Sequence, residues 1–527
     1  MTGSAPSSRL QRVVAYLEAD GKRRYWILIL FLAALVVRLH WNLSVHPLGE
    51  YIYSDMKGYW SRADANLDHP FSSREYDAFF PFGTAWLVTG IKFVFGRENI
   101  TAFAVLYAIF GALIVAMSFE ITHRAIGDRV RWVAPAVGLL LVVYYPLIAI
   151  GGYVLSEVPY SLALVTCIYL LLRLVDEGKN RQAWLLGLML GIATLIRPQM
   201  LMGVALVGLY WLFARLRQGA ESPYNKLTWG HIARIAVPLM LLLVMASARF
   251  HLHTGRYGLI SENSSINLVF GRCHNKGLYS RPDGAGHGTV RFSPPPLIQF
   301  EAYSAAHPDA LIQIRSVWGD DDSPVEGVPG FAVDSFGCTR RPCRQPGSEI
   351  EYRGYIGDTK LQKKIVRACL ERGGVKRQAY FSFTHWILLW RHNLMWPDQA
   401  NPRPRSTEGS EGWRQRQIVW ARIHRGLIMI PALLGLGFVF MRRREPRAAL
   451  VALNFWALMI VTSIWIGGMR FRVPYDPVLA IMAGLTYGVA WERVVAWSRR
   501  RRAAKRGAQA DTGAEPDTAS DGSDGAA

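Results

Sequence analysis

Residues 25–43, YWILILFLAALVVRLHWNL, form the first apolar stretch that is long enough to cross a membrane. A transmembrane helix needs about 20 predominantly apolar residues, and Arg38 is the one Lys, Arg, Asp or Glu in this stretch. Three consecutive basic residues, 22–24, precede it. Because basic residues mark the cytoplasmic side, segment 1–24 is predicted to be cytoplasmic and the loop from residue 44 to lie outside.

The composition is typical of a polytopic membrane protein. Of the 527 residues 51% are hydrophobic, and several further apolar runs approach or exceed the length of a span. The formal net charge of +21 is compatible with a nucleic-acid ligand, but Lys and Arg cluster at the ends of the apolar runs. The positive-inside rule explains most of this excess, so no nucleic-acid partner is expected. The late start of the first apolar run argues against a cleavable signal.

About ten transmembrane helices are expected, with both termini cytoplasmic. The stretch 79–96 contains Pro81, Gly83, Gly90 and Lys92, and counting it as a span would place the basic residues of 123–131 outside. An interfacial or re-entrant helix is expected there instead. The predicted spans are 25–43, 101–121, 132–150, 159–174, 183–196, 200–214, 235–250, 418–441, 448–467 and 478–495. The fifth and sixth are short, so the turn between them is predicted to face a cavity below the outer surface.

The predicted fold class is therefore an all-α polytopic membrane protein with a mixed extracytoplasmic domain. Residues 25–250 form a transmembrane module whose first outer loop is 44–80, and 251–417 form the hydrophilic outer domain. Residues 418–496 supply the C-terminal spans, and 497–527 a basic, then acidic, disordered cytoplasmic tail. Four of the five cysteines lie in the outer domain, at positions 273, 338, 343 and 369. Up to two disulfides are expected, with three possible pairings.

The first outer loop contains the main candidate site, Tyr53-Ser54-Asp55-Met56-Lys57-Gly58-Tyr59-Trp60. A cluster of charges in a loop is usually a solvated surface. Here, however, the acids alternate with aromatic residues directly after a span, which is typical of a functional site at a membrane surface. The stretch therefore favours Asp55 as a catalytic base, with Lys57 and Tyr59 as substrate contacts.

Glu157 is the one charged residue of the short loop 151–159. An ionisable residue at the membrane-embedded end of a helix is a candidate for function. It is equally a favourable acid at the N-terminus of a helix that begins before Pro159, where the helix dipole stabilises negative charge. Both interpretations stay open, since one acid can satisfy both.

Arg470 and Arg472 lie in the predicted outer loop 468–477, where positive charge departs from the inside rule. The forked donors of arginine suit phosphate, so these two residues and Arg197 are predicted to bind an anionic lipid phosphate. The alternative is that they reach the interface as helix-end residues, which is more plausible for Arg38 than for this pair. A D-x-D pattern at 320–322 is more typical of a solvated loop.

Four motifs resemble the GT-C superfamily of polytopic glycosyltransferases, near the protein O-mannosyltransferases and the lipid A aminoarabinose transferases. They are Ser54-Asp55 followed by Tyr59, then 156–159 (SEVP), 191–198 (GIATLIRP) and 470–474 (RFRVP). The chain departs from the family in two respects. No adjacent acidic pair follows Asp55, and the large outer segment lies between the seventh and eighth spans rather than at the C-terminus. The acceptor is therefore left open.

The resemblance implies a polyprenyl-phosphate-linked sugar as donor and an extracytoplasmic glycan, lipid or protein as acceptor. Asp55 would be the general base, Glu157 a second acid, and the arginines would hold the released phosphate. A single displacement would invert the anomeric carbon. The resemblance implies no fixed cofactor and leaves a divalent metal open. The protein is expected in the plasma (inner) membrane, with its active site on the outer face.

The main alternative is a multi-spanning transporter or lipid flippase, which would also show outer charges and broken helices. Transporters commonly contain repeated halves and acids near the middle of the bilayer. The sequence shows neither, which favours the enzyme. A surface scaffold would explain the outer domain but neither Glu157 nor the arginine pair.

Overall fold

The computed structural model describes residues 22–52, 55–127, 130–272, 359–390, 422–441 and 445–512, together with three strands and residues 357 and 419. Helices dominate these residues, as expected for an integral membrane protein. The cysteines predicted to form disulfides and the D-x-D pattern lie outside them, except for the backbone of Cys369. Ser54 of the first motif lies outside them as well.

The helices follow the chain in this order. The first half contains α1 (Arg23–His40), α2 (Asp55–Asp68), α3 (Phe82–Phe95), α4 (Ile100–Ile126), α5 (Val133–Val142), α6 (Tyr145–Ile150), α7 (Glu157–Glu177), α8 (Asn180–Ile196), α9 (Met200–Gln218), α10 (Trp229–Thr254) and α11 (Ser264–Arg272). The second half contains α12 (Thr359–Trp390), α13 (Ile430–Met441), α14 (Pro446–Ile464), α15 (Met469–Arg472) and α16 (Asp476–Thr512).

Seven helices of the described residues are long and apolar enough to cross a membrane. They are Arg23–Val45, Ile100–Ile126, Glu157–Glu177, Met200–Gln218, Trp229–Thr254, Pro446–Ile464 and Met469–Ala504. The other predicted spans coincide with shorter helices: α5 with α6, α8, and α13 with the turn before it. At about 1.5 Å per residue, the 14-residue α3 is about 21 Å long, too short for a bilayer core of about 30 Å.

The predicted span 132–150 is broken into α5 and α6 because of Pro146. A proline cannot donate a helical hydrogen bond to the carbonyl four residues earlier, and α5 ends at that residue, Val142. Arg38 binds the carbonyls left free, with Nη2 3.1 Å from Leu141 O and Nη1 3.4 Å from Val142 O. The side chain is buried, so Arg38 does not extend to the interface as expected but caps a broken helix.

Helices α2 and α3 lie side by side and run in the same direction. Tyr59 is near Phe80 at one end, with ring centroids 6.2 Å apart, and Arg97 is 2.7 Å from Asp68 at the other. Between these ends the buried Nζ of Lys92 lies 2.7 Å from Asp64. Residue 55 therefore begins a helix that is fixed along its length by ion pairs.

The described part of the segment after α11 contains a three-stranded antiparallel sheet. Its strands are β1 (His287–Phe292), β2 (Ile312–Arg315) and β3 (Glu349–Tyr355), in the order β1-β3-β2. The helix that follows, α12, departs from helical geometry at Gly374, whose φ is +63°. This agrees with the mixed composition expected of the outer domain.

Helix α7, which begins at Glu157, is the most enclosed of the seven long apolar helices. Helices α7 and α14 are largely buried inside the protein, whereas α1, α9 and α10 leave most of their surface free for lipid. Far from Glu157 along α7, ion pairs join four helices: Arg124 to Asp176 at 3.1 Å and Arg447 to Asp176 at 2.8 Å, with Glu120 bound by Arg23 and Arg124. The start of α7 is thus held in a tightly packed frame.

Candidate active site

Glu157 is the first residue of α7, and it is buried with 1% of its surface exposed. Burying a carboxylate is costly unless charged or hydrogen-bonding partners accompany it. Two arginines from distant parts of the chain provide them, because Arg197 and Arg470 both donate to its Oε1 atom. Glu157 therefore combines both interpretations of the sequence, since it begins a helix and sits in a cluster of charges.

Arg197 lies in the turn between α8 and α9, where Pro198 disfavours helical geometry at the preceding residue. Its backbone is extended, and its side chain is buried. The Nε atom donates to Ser156 Oγ at 3.0 Å. The guanidinium carbon also lies 5.9 Å from the ring centres of Tyr160 and of Phe471. The side chain of Arg197 therefore lies in the protein interior.

Arg470 connects the two acidic residues singled out in the sequence. The short helix α15 places its Nη2 atom 2.9 Å from Asp55 Oδ2, while its Nε donates to Glu157. The side chains of Arg470 and Asp55 are 21% and 16% exposed, so water reaches this part of the cluster. One guanidinium thus links loop 44–80, the start of α7 and loop 468–477.

Asp55 and Tyr59 lie one turn apart at the start of α2, and therefore on the same face. Tyr59 is buried, and burial, followed by the negative charge of Asp55, raises its pKa to about 12. Its hydroxyl thus stays protonated at any working pH. Lys57 is exposed, and residues two apart on a helix do not face each other. The structure therefore leaves Lys57 outside the charged cluster.

Four other acids of the first loop have partners of their own. Each forms an ion pair away from Arg470: Asp64 with Lys92 at 2.7 Å, Asp68 with Arg97 at 2.7 Å, Glu75 with Arg256 at 2.8 Å, and Asp77 with Arg74 at 2.8 Å. The first three pairs attach the loop to α3, to the turn after α3 and to the turn after α10, and the fourth lies within the loop. Of the loop acids, Asp55 is the one that the structure brings to Glu157.

Arg472 lies in a separate, fully buried ion pair. Its Nε donates to Asp476 Oδ1 at 2.9 Å and its Nη1 to Leu389 O at 3.0 Å, while the Tyr144 hydroxyl donates to Asp476 Oδ2 at 2.9 Å. The sequence predicted that Arg472 binds a lipid phosphate together with Arg470, but the structure pairs it with Asp476. This placement gives it no open face towards the cluster around Arg470.

Three polar residues beside Arg197 were not predicted. The hydroxyls of Tyr160 and Tyr475 lie 2.6 Å apart, and Gln199 Nε2 donates to Tyr475 Oη at 3.2 Å. Gln199 and Tyr475 lie in the same short loops as Arg197 and Arg470. Their closeness in sequence to these arginines is the signal by which they could have been predicted. Among the residues that the structure describes, no group of three His, Cys, Asp or Glu side chains is suited to a metal.

Residues 80–245 match the family described as dolichyl-phosphate-mannose-protein mannosyltransferase. The matched part begins just before α3 and ends within α10, so it contains Glu157 and Arg197 but neither Asp55 nor Arg470. This family is part of the GT-C superfamily, and the resemblance predicted from the motifs is confirmed. The curated proteins contain no match to the chain.

Three solved structures are similar in fold. AglB, the oligosaccharyltransferase of Archaeoglobus fulgidus in complex with an inhibitory peptide and a dolichol-phosphate, is 12% identical, with 92% of this chain and 52% of that chain covered and a TM-score of 0.45. Pmt1-Pmt2, the S. cerevisiae protein O-mannosyltransferase bound to the sugar donor, is 15% identical, with 64% and 46% covered and a TM-score of 0.34. ArnT from Cupriavidus metallidurans, bound to undecaprenyl phosphate, is 14% identical, with 88% and 77% covered and a TM-score of 0.34. The chain spans about half the length of AglB.

Proposed function

We propose that this GT-C-type membrane protein transfers a sugar from a polyprenyl-phosphate-linked donor to an extracytoplasmic glycan, lipid or protein. The observation that carries the proposal is the position of Arg470 between Asp55 and Glu157. A guanidinium that is partly open to water can bind a phosphate oxygen, and a carboxylate beside it can accept a proton. These are the two groups that such a transfer needs.

In the proposed reaction, the acceptor hydroxyl attacks the anomeric carbon and its proton passes to the Asp55 carboxylate. The bond from the anomeric carbon to the phosphate oxygen breaks, and its electron pair stays on the leaving phosphate. Arg470 and Arg197 stabilise that charge, as fixed cations do when charge develops in a desolvated site. A single displacement of this kind inverts the anomeric carbon.

The remaining predicted residues have supporting roles in this proposal. Glu157 holds both arginines in place, and the protonated hydroxyl of Tyr59 is available to donate a hydrogen bond to substrate. Lys57, being exposed, lies towards the solution from which an acceptor arrives. The buried pair of Arg472 with Asp476 fixes the start of α16, next to the loop that carries Arg470.

The test is to incubate purified protein with a panel of labelled polyprenyl-phosphate sugars and an extract of envelope glycans, lipids and proteins. We expect one donor to be consumed, with release of polyprenyl phosphate and transfer of the label. If no donor is consumed, the proposal is wrong. A parallel assay in proteoliposomes distinguishes the alternative, because a flippase would move the intact donor across the bilayer without consuming it.

A further inference from the structure

A second group of basic side chains lies beside the candidate active site. It consists of Arg62, Arg74, Arg249 and His253, and we call it the arginine cradle. Arg62 is on α2, Arg74 follows in the loop before α3, and Arg249 and His253 stand one turn apart on α10. The backbone N–H of Arg74 donates to His253 Nδ1 at 3.1 Å, which joins the loop to α10. Three separate segments therefore place their basic residues together.

Arg62 is buried, with 7% of its surface exposed, and its guanidinium carbon lies 4.7 Å from the ring centres of both Tyr76 and Phe80. Its Nη2 donates to Tyr76 O at 3.3 Å. Its Nε is buried without a hydrogen bond and lies 3.7 Å from Asp77. Arg74 is 2.8 Å from Asp77 through Nη2, and its Nε is likewise buried without a hydrogen bond.

Arg249 and His253 contribute further unused donors. Within the described residues, the guanidinium of Arg249 makes contacts only with rings, its carbon lying 5.3 Å from the centre of Phe82 and 5.5 Å from that of Trp86. His253 is 5% exposed and accepts the bond from Arg74 through Nδ1, so the proton of its neutral ring is on Nε2. That Nε2 is buried and has no hydrogen-bond partner among the described residues.

The charges of the cradle do not balance. Among the described residues, three guanidinium groups face one carboxylate, Asp77, so about two positive charges remain uncompensated. A buried donor without an acceptor is unfavourable, and within the described residues Arg62 Nε, Arg74 Nε and His253 Nε2 each lack one. A phosphate ester supplies up to two negative charges and several acceptor oxygens, which suits the forked donors of arginine. The cradle is thus complementary to a phosphate ester.

The position of the cradle connects it to both the membrane and the active site. Trp86 on α3 and Val244, Met245 and Leu252 on α10 are exposed apolar side chains close to it, as expected of a lipid-facing edge. In the other direction, Asp55, Tyr59 and Arg62 share one face of α2. From Asp55 to Arg62 the helix advances by seven positions, a rise of about 10 Å.

We propose that the arginine cradle binds a phosphate ester, carried by either a lipid headgroup or a soluble molecule, about 10 Å along α2 from Asp55. Its role rests on the proposed function: the bound phosphate belongs to the acceptor and places the acceptor hydroxyl at Asp55. Binding to the cradle does not itself depend on sugar transfer.

The test uses the full-length protein in detergent, titrated by calorimetry with glycerol 3-phosphate and, in a second arm, with short-chain phosphatidylglycerol. We expect at least one probe to bind, with Kd raised about tenfold or more in Arg249→Gln, since one lost charge-assisted contact has about that effect. Arg249 makes no hydrogen bond to the described residues, so this variant should fold. Arg62→Gln is the second variant, and the exposed Arg97→Gln is the matched control, expected to bind like the parent.

The arms separate the sources. Binding of glycerol 3-phosphate supports a soluble ester, and binding of phosphatidylglycerol alone supports a lipid headgroup. If neither probe binds, or if both cradle variants bind like the parent, the inference is wrong. Repeating the titrations with Arg470→Gln, which should bind the probes like the parent, separates the cradle from the donor site. Cradle binding without consumption of any donor would refute the proposed function and leave the cradle in place.

Discussion

At the scale of single residues, the two acids that share Arg470 differ in their exposure to water. The Asp55 side chain is 16% exposed and Glu157 is 1% exposed, so Asp55 is the acid that an acceptor can reach. We expect Asp55→Asn to lower the turnover rate by about 10²- to 10⁴-fold, because the amide keeps the shape but cannot take a proton. Donor binding should persist. Initial rates at saturating donor, with a donor binding assay, measure both.

The matched control is Asp68→Asn, at the other end of α2. Asp68 pairs with Arg97 at the surface, where ion pairs contribute little, so this variant should turn over like the parent. Asp55→Glu should retain little activity, because an added methylene misplaces the carboxylate. A parent-like rate for Asp55→Asn would mean that the base is elsewhere, with Glu157 as the next candidate.

Glu157 should act mainly through stability. Glu157→Gln removes the negative charge that Arg197 and Arg470 share, and losing one partner of a buried ion pair costs about 3–5 kcal/mol. We expect a clearly lower melting temperature in detergent, together with weaker donor binding. Glu98→Gln changes an exposed acid and is the control. Equal melting temperatures for the two variants would show that Glu157 does not hold the arginines.

The sequence identified the four residues of the central cluster, because each is a charge that a membrane protein rarely leaves at a helix end without a reason. It did not distinguish Arg470 from Arg472, which stand two positions apart in the same predicted loop. Their different roles depend on Asp476 and on the carbonyl of Leu389, and the latter is distant in sequence. The arginine cradle likewise depends on a long-range contact, between the loop after α2 and α10.

At the scale of elements, Gly83 at the start of α3 packs closely against the end of α8, next to the turn that carries Arg197. A Cβ at Gly83 would lie 2.6 Å from the carbonyl carbon of Leu195 and 2.7 Å from the nitrogen of Ile196. Backbone atoms cannot move aside as a flexible side chain does, so Gly83→Ala should displace α3 or the end of α8. We expect reduced thermal stability and reduced donor affinity, measured by melting and by binding.

Gly90 on the same helix provides the matched control. A Cβ at Gly90 would meet nothing within 4 Å, and alanine is favoured over glycine in a helix by up to about 1 kcal/mol. Gly90→Ala should therefore melt at the parent temperature or slightly above it. If Gly83→Ala behaves like Gly90→Ala, the contact between α3 and the end of α8 does not constrain the site.

The apolar runs predicted which segments are helical but not where every helix ends. The sixth span was expected to be short, 200–214, yet α9 continues to Gln218. Arg215 and Arg217 end the apolar run without ending the helix, since arginine is a good helix former and extends its charge to the interface. The span 132–150 was predicted to be continuous, so its break before Pro146 was missed. Its cap could not be predicted either, because Arg38 comes from α1.

At the scale of the whole molecule, the predicted topology places the first loop outside and the end of α16 in the cytoplasm. The test uses a background variant that keeps the buried Cys167 and has its four other cysteines changed to Ser. In this background, a new cysteine at Ser73 should react with a membrane-impermeant reagent in intact cells. One at Ala503 should react only after permeabilisation. Both positions are exposed, so accessibility depends on the side of the membrane.

A third position, Lys179→Cys, tests whether the loops between these two ends lie on the predicted sides of the membrane. Lys179 is exposed in the turn between α7 and α8, which is predicted to be cytoplasmic. It should react only after permeabilisation. Labelling of Lys179→Cys in intact cells would reverse the order of the spans around Glu157 and overturn the prediction that α3 does not cross the membrane.

The sharing of Arg470 between two acids has a consequence for kinetic order. A donor phosphate that takes the Nη2 atom of Arg470 displaces the more exposed carboxylate, Asp55, and leaves the buried Glu157 paired. Under the proposed mechanism, we expect the base to be released only in the complex with donor, so that the donor is the obligatory first substrate. A dead-end acceptor analogue should accordingly inhibit uncompetitively against donor. Mixed or noncompetitive inhibition would mean that the acceptor also binds before the donor.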